Sequence, residues 1–288
     1  DLVEAADLER RPGLGLPVAD ATAGLAYTTL LYAEGSGDPD AVAERFGTAE
    51  TVDGRTLASR VALAVAADDA PPVAGEAVEA ALRPHAGGPF ETVAGYADVL
   101  RALAARAPGL GIQIAMEHTG AAGRSAASDE DDGSPAGAER TAVDADLRER
   151  ALDLWPAHGE ATHAAFAGAA LSRHDGLVVA AAGDGGPTWA VARLLRDYVS
   201  QEPVVVQRGG SAAIATTRGN PGDFAAAVET AADAIDGRAV VAGRRARVVA
   251  DGQTANQSDG GQSDGGQSDG GQSDGDLTAF VDALREAI

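Results

Sequence analysis

Two adjacent carboxylates, Asp68 and Asp69, close an apolar run from Val61 to Ala67, and Pro71-Pro72 follow almost at once. The run is weakly periodic, rich in Ala and begins upstream at Leu57, which predicts a buried helix rather than a strand. The prolines end it. Acids at a helix C-terminus face the negative end of the helix dipole, a mismatch of roughly 0.3–1 kcal/mol each, so something must favour them there. Two explanations are open. Asp68 is a hard-metal ligand at the edge of a core, or it is a solvated surface acid while Asp69 caps a second helix, expected over Val73 to Leu82. Metal-assisted phosphodiester hydrolysis needs several carboxylates and a His converging on a metal pair whose members lie about 4 Å apart. Asp68 alone is a fragment of such a site.

A second constellation suits anions. Between Val204 and Arg247 six arginines (Arg208, Arg218, Arg238, Arg244, Arg245 and Arg247) outnumber four acids, in a chain that is otherwise strongly negative. Guanidinium forks match phosphate oxygens, and the backbone amides of Gly209-Gly210 or Gly243 could join them in holding a nucleic-acid strand. The competing reading is a salt-bridged sheet face. Gly183 to Thr188 is either a phosphate cradle or a plain turn capped by Thr188. His158 and His163 are five residues apart, roughly 140° around a helix, and so are poorly placed to share a metal. His85, His118 and His174 are isolated.

The solvent shapes this composition. Of 288 residues, 44 are acidic and 22 basic, the basic ones all Arg, for a net charge of −22. Such self-repulsion strains a compact fold at low ionic strength, whereas in molar salt the Debye length falls to about 3 Å. A halophilic, cytoplasmic protein is expected. There is no Cys, hence no disulfide or thiolate metal site. No apolar stretch long enough to span a membrane appears, and no membrane partner is expected. The chain opens on Asp1 with Met116 as its only Met, which suggests a natural start further upstream.

The elements that must position these residues fall into three parts. Residues 1–115 are helix-rich, with helices expected at Asp40 to Phe46, Leu57 to Ala67, Val73 to Leu82 and Thr92 to Ala105, and they lack the strands to close a sheet. Residues 116–143 carry four consecutive acids, Asp129 to Asp132, among small residues and read as a disordered acidic linker. Residues 144–288 alternate helix and strand. A long helix is expected from Asp144 to Leu171, kinked at Pro156. Then come a strand at Leu177 to Ala182, a helix carrying Val191, Leu194, Leu195 and Tyr198, and strands at Val204 to Val206 and Ala212 to Thr216. A helix with Phe224, Val228, Ala231 and Ile235, a strand near Arg247 to Ala250, and a last helix from Leu277 complete the pattern. An insert at 253–275 repeats Gln-Ser-Asp-Gly at Gln257, Gln262, Gln267 and Gln272 and reads as a surface loop. The whole is an α/β protein.

Several segments resemble, in order, the archaeal branch of RecJ-like phosphoesterases of the DHH superfamily. Ala62 to Pro71 aligns without gaps on that family's Ala-Leu-Gly-Thr-Val-Ala-Asp-Val-Val-Pro stretch. Tyr27-Thr28-Thr29 and Ser36-Gly37-Asp38 are similar to two upstream motifs, and Tyr96 to Leu100 to its Phe-Ala-Thr-Leu-Leu. Thr188 to Leu195 followed by Pro203 to Val206 resembles the DHH-associated substrate-binding domain. The resemblance implies a helix-rich remainder of a DHH-type α/β domain, a smaller DHH-associated α/β domain after it, and a manganese or magnesium pair with Asp68 as one ligand. It further implies nucleic-acid contacts from Arg193, Arg208, Gly237, Gly243, Arg244, Arg245 and Arg247. The implied activity is exonuclease cleavage of single-stranded DNA or RNA in replication or repair.

The departures are specific. The family's Asn-Ala-x-Gly-Arg becomes Arg101-Ala102-Leu103-Ala104-Ala105, its Gly-Gly-His motif has no His between Gly237 and Val249, and the Asp-x-Asp and Asp-His-His ligands are absent from these residues. These features fit an alternative, a catalytically inactive RecJ-like scaffold that binds GINS-type replication proteins at the replicative helicase. A small-substrate phosphoesterase of the same superfamily is a third reading.

Overall fold

The computed structural model describes residues 8–48, 50–67, 70–87, 89–125, 135–183, 185–250 and 270–288, with side chains omitted at 118–125, 135–143 and 270–275. Asp68, Asp69 and most of the Gln-Ser-Asp-Gly insert therefore lie outside the described residues. The chain is α/β and divides into two compact units, residues 1–164 and 165–288.

Unit 1 contains β1 (Glu9–Arg10), α1 (Ala21–Tyr27), α2 (Pro39–Phe46), α3 (Gly54–Ala67), α4 (Pro72–Ala81), β2 (His85–Ala86), α5 (Val93–Arg106), α6 (Pro108–Ser125) and nearly all of α7 (Pro135–Ala167). Local chemistry starts these helices. The carboxylates of Asp20 and Asp38 accept from two backbone N–H groups each at α1 and α2, Pro39 follows in the first turn of α2, and Thr92 accepts from Gly95 N at α5. Pro71 occupies the N-cap of α4 and offers no side-chain bond, and the capping role considered for Asp69 lies outside the described residues. β1 and β2 form a two-stranded antiparallel sheet, the only one among the described residues of this unit. Its core joins α5, α6 and α7 through Val99, Leu103, Leu110, Ile114, Leu147 and Trp155.

Two expectations change here. The segment read as a disordered linker is entered by helix from both sides, α6 running to Ser125 and α7 starting at Pro135; residues 126–134 lie outside the described residues. Ala-rich flanks propagate helix, and proline at a first helical position costs nothing. The long helix, grouped with the second domain from its sequence, belongs to unit 1 up to Ala164, and it passes through Pro156 without ending.

Unit 2 holds β3 (Leu171–His174), β4 (Leu177–Ala181), α8 (Trp189–Tyr198), β5 (Val204–Gly209), β6 (Ala212–Thr217), α9 (Pro221–Asp233), β7 (Arg238–Ala242), β8 (Arg245–Val249) and α10 (Gly270–Ala287). Leu171, expected to end a helix, begins an edge strand instead, because its Leu-Ser-Arg-His pairs antiparallel with β4. The sheet order is β3-β4-β5-β6-β8-β7, with β4–β5 parallel and the other pairs antiparallel.

One face of this sheet carries the core. Val179, Val206, Ala215 and Val248 meet Phe224 and Val228 of α9 and Phe280 and Leu284 of α10. On the opposite face α8 buries Val191, Leu194, Leu195 and Tyr198 and packs on β5 and β6. One helix cannot cover six strands. The outer face of β7 and β8 is exposed, and Arg238, Arg245 and Arg247 lie on it.

Candidate nucleic-acid interface

β7 and β8 are joined by the two-residue loop Gly243-Arg244, closed by the pair Ala242↔Arg245. Gly243 has φ +60°, the conformation a type II′ hairpin turn requires at its first central position. Strand alternation then sorts the side chains. Ala239, Val241, Ala246 and Val248 point to the core, whereas Arg238, Val240, Ala242, Arg245, Arg247 and Val249 are exposed. Register places Val240 beside Arg247 and Arg238 beside Val249. Three arginines thus share one open face around an apolar strip whose centre, Val240, is 70% exposed. Arg244 sits at the turn, where its carbonyl accepts from Thr217 N and Thr216 Oγ1.

Beside this face stands Trp189, the first residue of α8. The Arg245 guanidinium carbon lies 5.5 Å from its ring centroid, within cation–π range. The residue before it is fixed in place: Thr188 N donates to Gln207 Oε1 at 2.8 Å, and the Thr188 hydroxyl caps α8 at Val191 N. Thr188 therefore does the work of a helix cap, as the plain-turn reading of Gly183 to Thr188 had it. Asp184 lies outside the described residues.

The other candidate arginines turn inward. Arg218 donates to the carbonyls of Arg196, Ser200 and Glu202, tying off the C-terminal end of α8 and the turn after it. Arg193 pairs with Asp197 at 3.5 Å, and Arg208 donates to Thr278 Oγ1 at 2.9 Å, joining β5 to α10. Arg196 grips Asp197 with two bonds and reaches Thr216 Oγ1 at 2.9 Å. Gly237 is a packing glycine: a Cβ there would meet the Val249 carbonyl and Ile235 at about 3.0 Å. Of the residues named from sequence, Arg244, Arg245 and Arg247, with Gly243 shaping their loop, come together on the open hairpin. Arg193, Arg208 and Gly237 do not.

Unit 1 holds a polar cluster that sequence reasoning missed. Asp98, fully buried on α5, accepts from Thr28 Oγ1 (3.0 Å), Thr29 N (3.1 Å), Thr29 Oγ1 (2.5 Å) and Trp155 Nε1 (3.0 Å), with Arg101 4.0 Å away. His163 of α7 bonds the Thr28 carbonyl at 2.9 Å. Gly159 lets α7 approach so closely that any Cβ would overlap the Tyr27 carbonyl. Two segments compared with RecJ motifs, 27–29 and 96–100, thus meet at Asp98, whose oxygens are taken up by protein donors. The signal was present: Asp98 lies in the stripe Gly95, Asp98, Val99, Ala102, Leu103 that α5 buries.

Nearby His158 is more than half buried, its Nε2 has no hydrogen-bond partner, and its pKa is lowered. Desolvation is the main cause and Arg106 adds to it, against an opposing pull from Asp98. Among the described residues no group of three or more His, Asp or Glu is placed to hold a metal ion. The residues flanking Asp68, Ala66 and Ala70 to Pro72, line an apolar groove of about 440 Å³ between α3 and α4, with Glu79 as the one carboxylate in its described wall. No described helix is long and apolar enough to cross a membrane.

Residues 169–286, nearly all of unit 2, match the family described as "Uncharacterized protein rrnAC1427, C-terminal domain". The chain is 40% identical over 279 residues to "Uncharacterized protein rrnAC1427" of Haloarcula marismortui, an alignment that covers 89% of this chain and 64% of that relative. The chain thus spans less than two thirds of the curated relative to which it is similar.

Proposed function

We propose that this chain is the strand-gripping portion of a RecJ-like phosphodiesterase, and that the outer face of the β7–β8 hairpin holds single-stranded DNA or RNA. One observation carries the reading: Arg245 and Arg247 alternate onto the solvent-facing side of β8, next to Arg244 at the turn, in a chain of net charge −22. Basic side chains gathered on one exposed strand face of an acidic protein suit a polyanion.

The test is fluorescence anisotropy with labelled 20-nucleotide DNA and RNA strands over a series of KCl concentrations. The expected result is saturable binding to the wild type, weakened about 100-fold by Arg245→Glu/Arg247→Glu, since each lost phosphate fork removes a charge-assisted bond. Unchanged affinity in the double variant overturns the proposal. Hydrolysis is tested separately with manganese and end-labelled strands at molar salt, with Asp68→Ala as the control. Cleavage lost in that variant supports the nuclease reading and gives Asp68 the metal-ligand role. Binding without cleavage favours the inactive scaffold, for which the absence of His between Gly237 and Val249 already speaks.

A further inference from the structure

We infer that Arg245, seated over the Trp189 ring, is a stacking platform for an unpaired nucleobase, so that the open face recognises bases as well as phosphates. This deepens the strand-binding reading and rests on it. The chain has two tryptophans. Trp155 is buried in unit 1 and bonded to Asp98, whereas Trp189 is partly exposed and borders the arginine face. The Arg245 guanidinium carbon lies 5.5 Å from the indole centroid and Arg245 is exposed, so a planar π-system can reach the pair from solvent.

The platform is braced from below. Thr216, the register partner of Arg245, receives Arg196 from α8, and Thr188 is tied to Gln207 of β5. The indole and the guanidinium therefore sit on elements locked to each other, and little ordering is left to the ligand. Val240 and Val249 add apolar surface on the same face.

Salt makes the stacking contribution decisive. A chain of net charge −22 whose basic residues are all arginine is suited to concentrated salt, where counterion release no longer drives phosphate binding. Stacking persists under those conditions. It is also available to any base with an open π-face, which selects unpaired strands without selecting sequence.

The experiment compares four probes at 0.3 and 2 M KCl: a 20-nucleotide thymidine strand, an abasic strand of equal length, a 20-base-pair duplex and inorganic polyphosphate. At 2 M KCl the wild type should prefer the thymidine strand to the abasic strand by about tenfold. Arg245→Lys keeps the charge and should erase that preference, as should Trp189→Leu, while Trp189→Phe should retain most of it; circular dichroism verifies that each variant is folded. Equal affinity for thymidine and abasic strands, or an Arg245→Lys variant indistinguishable from wild type, overturns the inference and leaves the phosphate grip standing. Failure of the wild type to bind any probe at either salt concentration removes both.

Discussion

In unit 1 the charge of Asp98 is consumed by the chain itself: two threonine hydroxyls, a backbone amide and an indole N–H all point at one carboxylate that water cannot reach. In unit 2 the guanidiniums of Arg245 and Arg247 stand on the exposed side of a strand pair whose other side is core. The two groups of residues look alike in sequence, as single charged residues within apolar periodicity, yet the first locks three segments together and the second faces outward. What separates them is coverage. α5 meets neighbours on the side that carries Asp98, whereas α8 packs on β5 and β6 and leaves β7 and β8 open.

Variants should separate the two regions along the same line, and the largest effect belongs to the closed one. Asp98→Ala strips the partner from four buried donors and should cost about 3–5 kcal/mol of unit 1 stability, read by guanidinium unfolding with Trp155 as the reporter. Strand affinity in unit 2 should not move; a parallel loss of binding would erase the distinction.

The charge reversal Arg245→Glu/Arg247→Glu should do the opposite. It weakens binding about 100-fold while thermal stability stays within roughly 0.5 kcal/mol of wild type, as for other substitutions at exposed positions. Arg218→Met tests whether the inward arginines differ from the outward ones. Losing its bonds to three carbonyls should destabilise unit 2 by about 1–3 kcal/mol, with strand affinity unchanged.

A milder probe is Arg238→Gln, which should lower the slope of log affinity against log salt by about 0.7 if that residue meets one phosphate. The smallest effect is expected at His158. Its folded pKa lies below the ordinary 6.5, so its contribution to stability is complete above about 6.5 and is lost as pH falls from there through the folded value. His158→Asn should flatten the dependence of Tm on pH across that window, and an unaltered dependence would assign it to another group.

Much of this architecture could be read from residue spacing. Val191, Leu194, Leu195 and Tyr198 predict α8, and all four are buried on it; Phe224, Val228 and Ala231 do the same for α9. β7 was missed because Arg-Ala-Val-Val-Ala shows little contrast between its two sides when Ala239 stands where a larger apolar residue would mark the core. β3 was missed because an edge strand with both sides open carries Ser, Arg and His. For the candidate site, Arg244, Arg245 and Arg247 were legible as a basic cluster, since their composition alone sets them apart, and the structure puts them on one hairpin. The inward roles of Arg193, Arg208 and Arg218 were not, because each depends on a carbonyl, hydroxyl or carboxylate brought from elsewhere in the unit. Asp98 was legible in principle as an acid in a buried stripe, but its donors arrive from Thr28, Thr29 and Trp155, far away along the chain.

The position of β7 at the margin of its sheet carries one more consequence. Among the described residues no strand pairs with its outer edge, and Val240 offers an oily contact beside it, a combination that invites copies of the same protein to zip together. The positive strip on the hairpin opposes that, since every copy brings the same sign to the seam. Neutralising all three outward arginines should therefore turn a well-behaved protein into one that self-associates, and in concentrated brine, where like charges repel less, the margin of safety is thinnest.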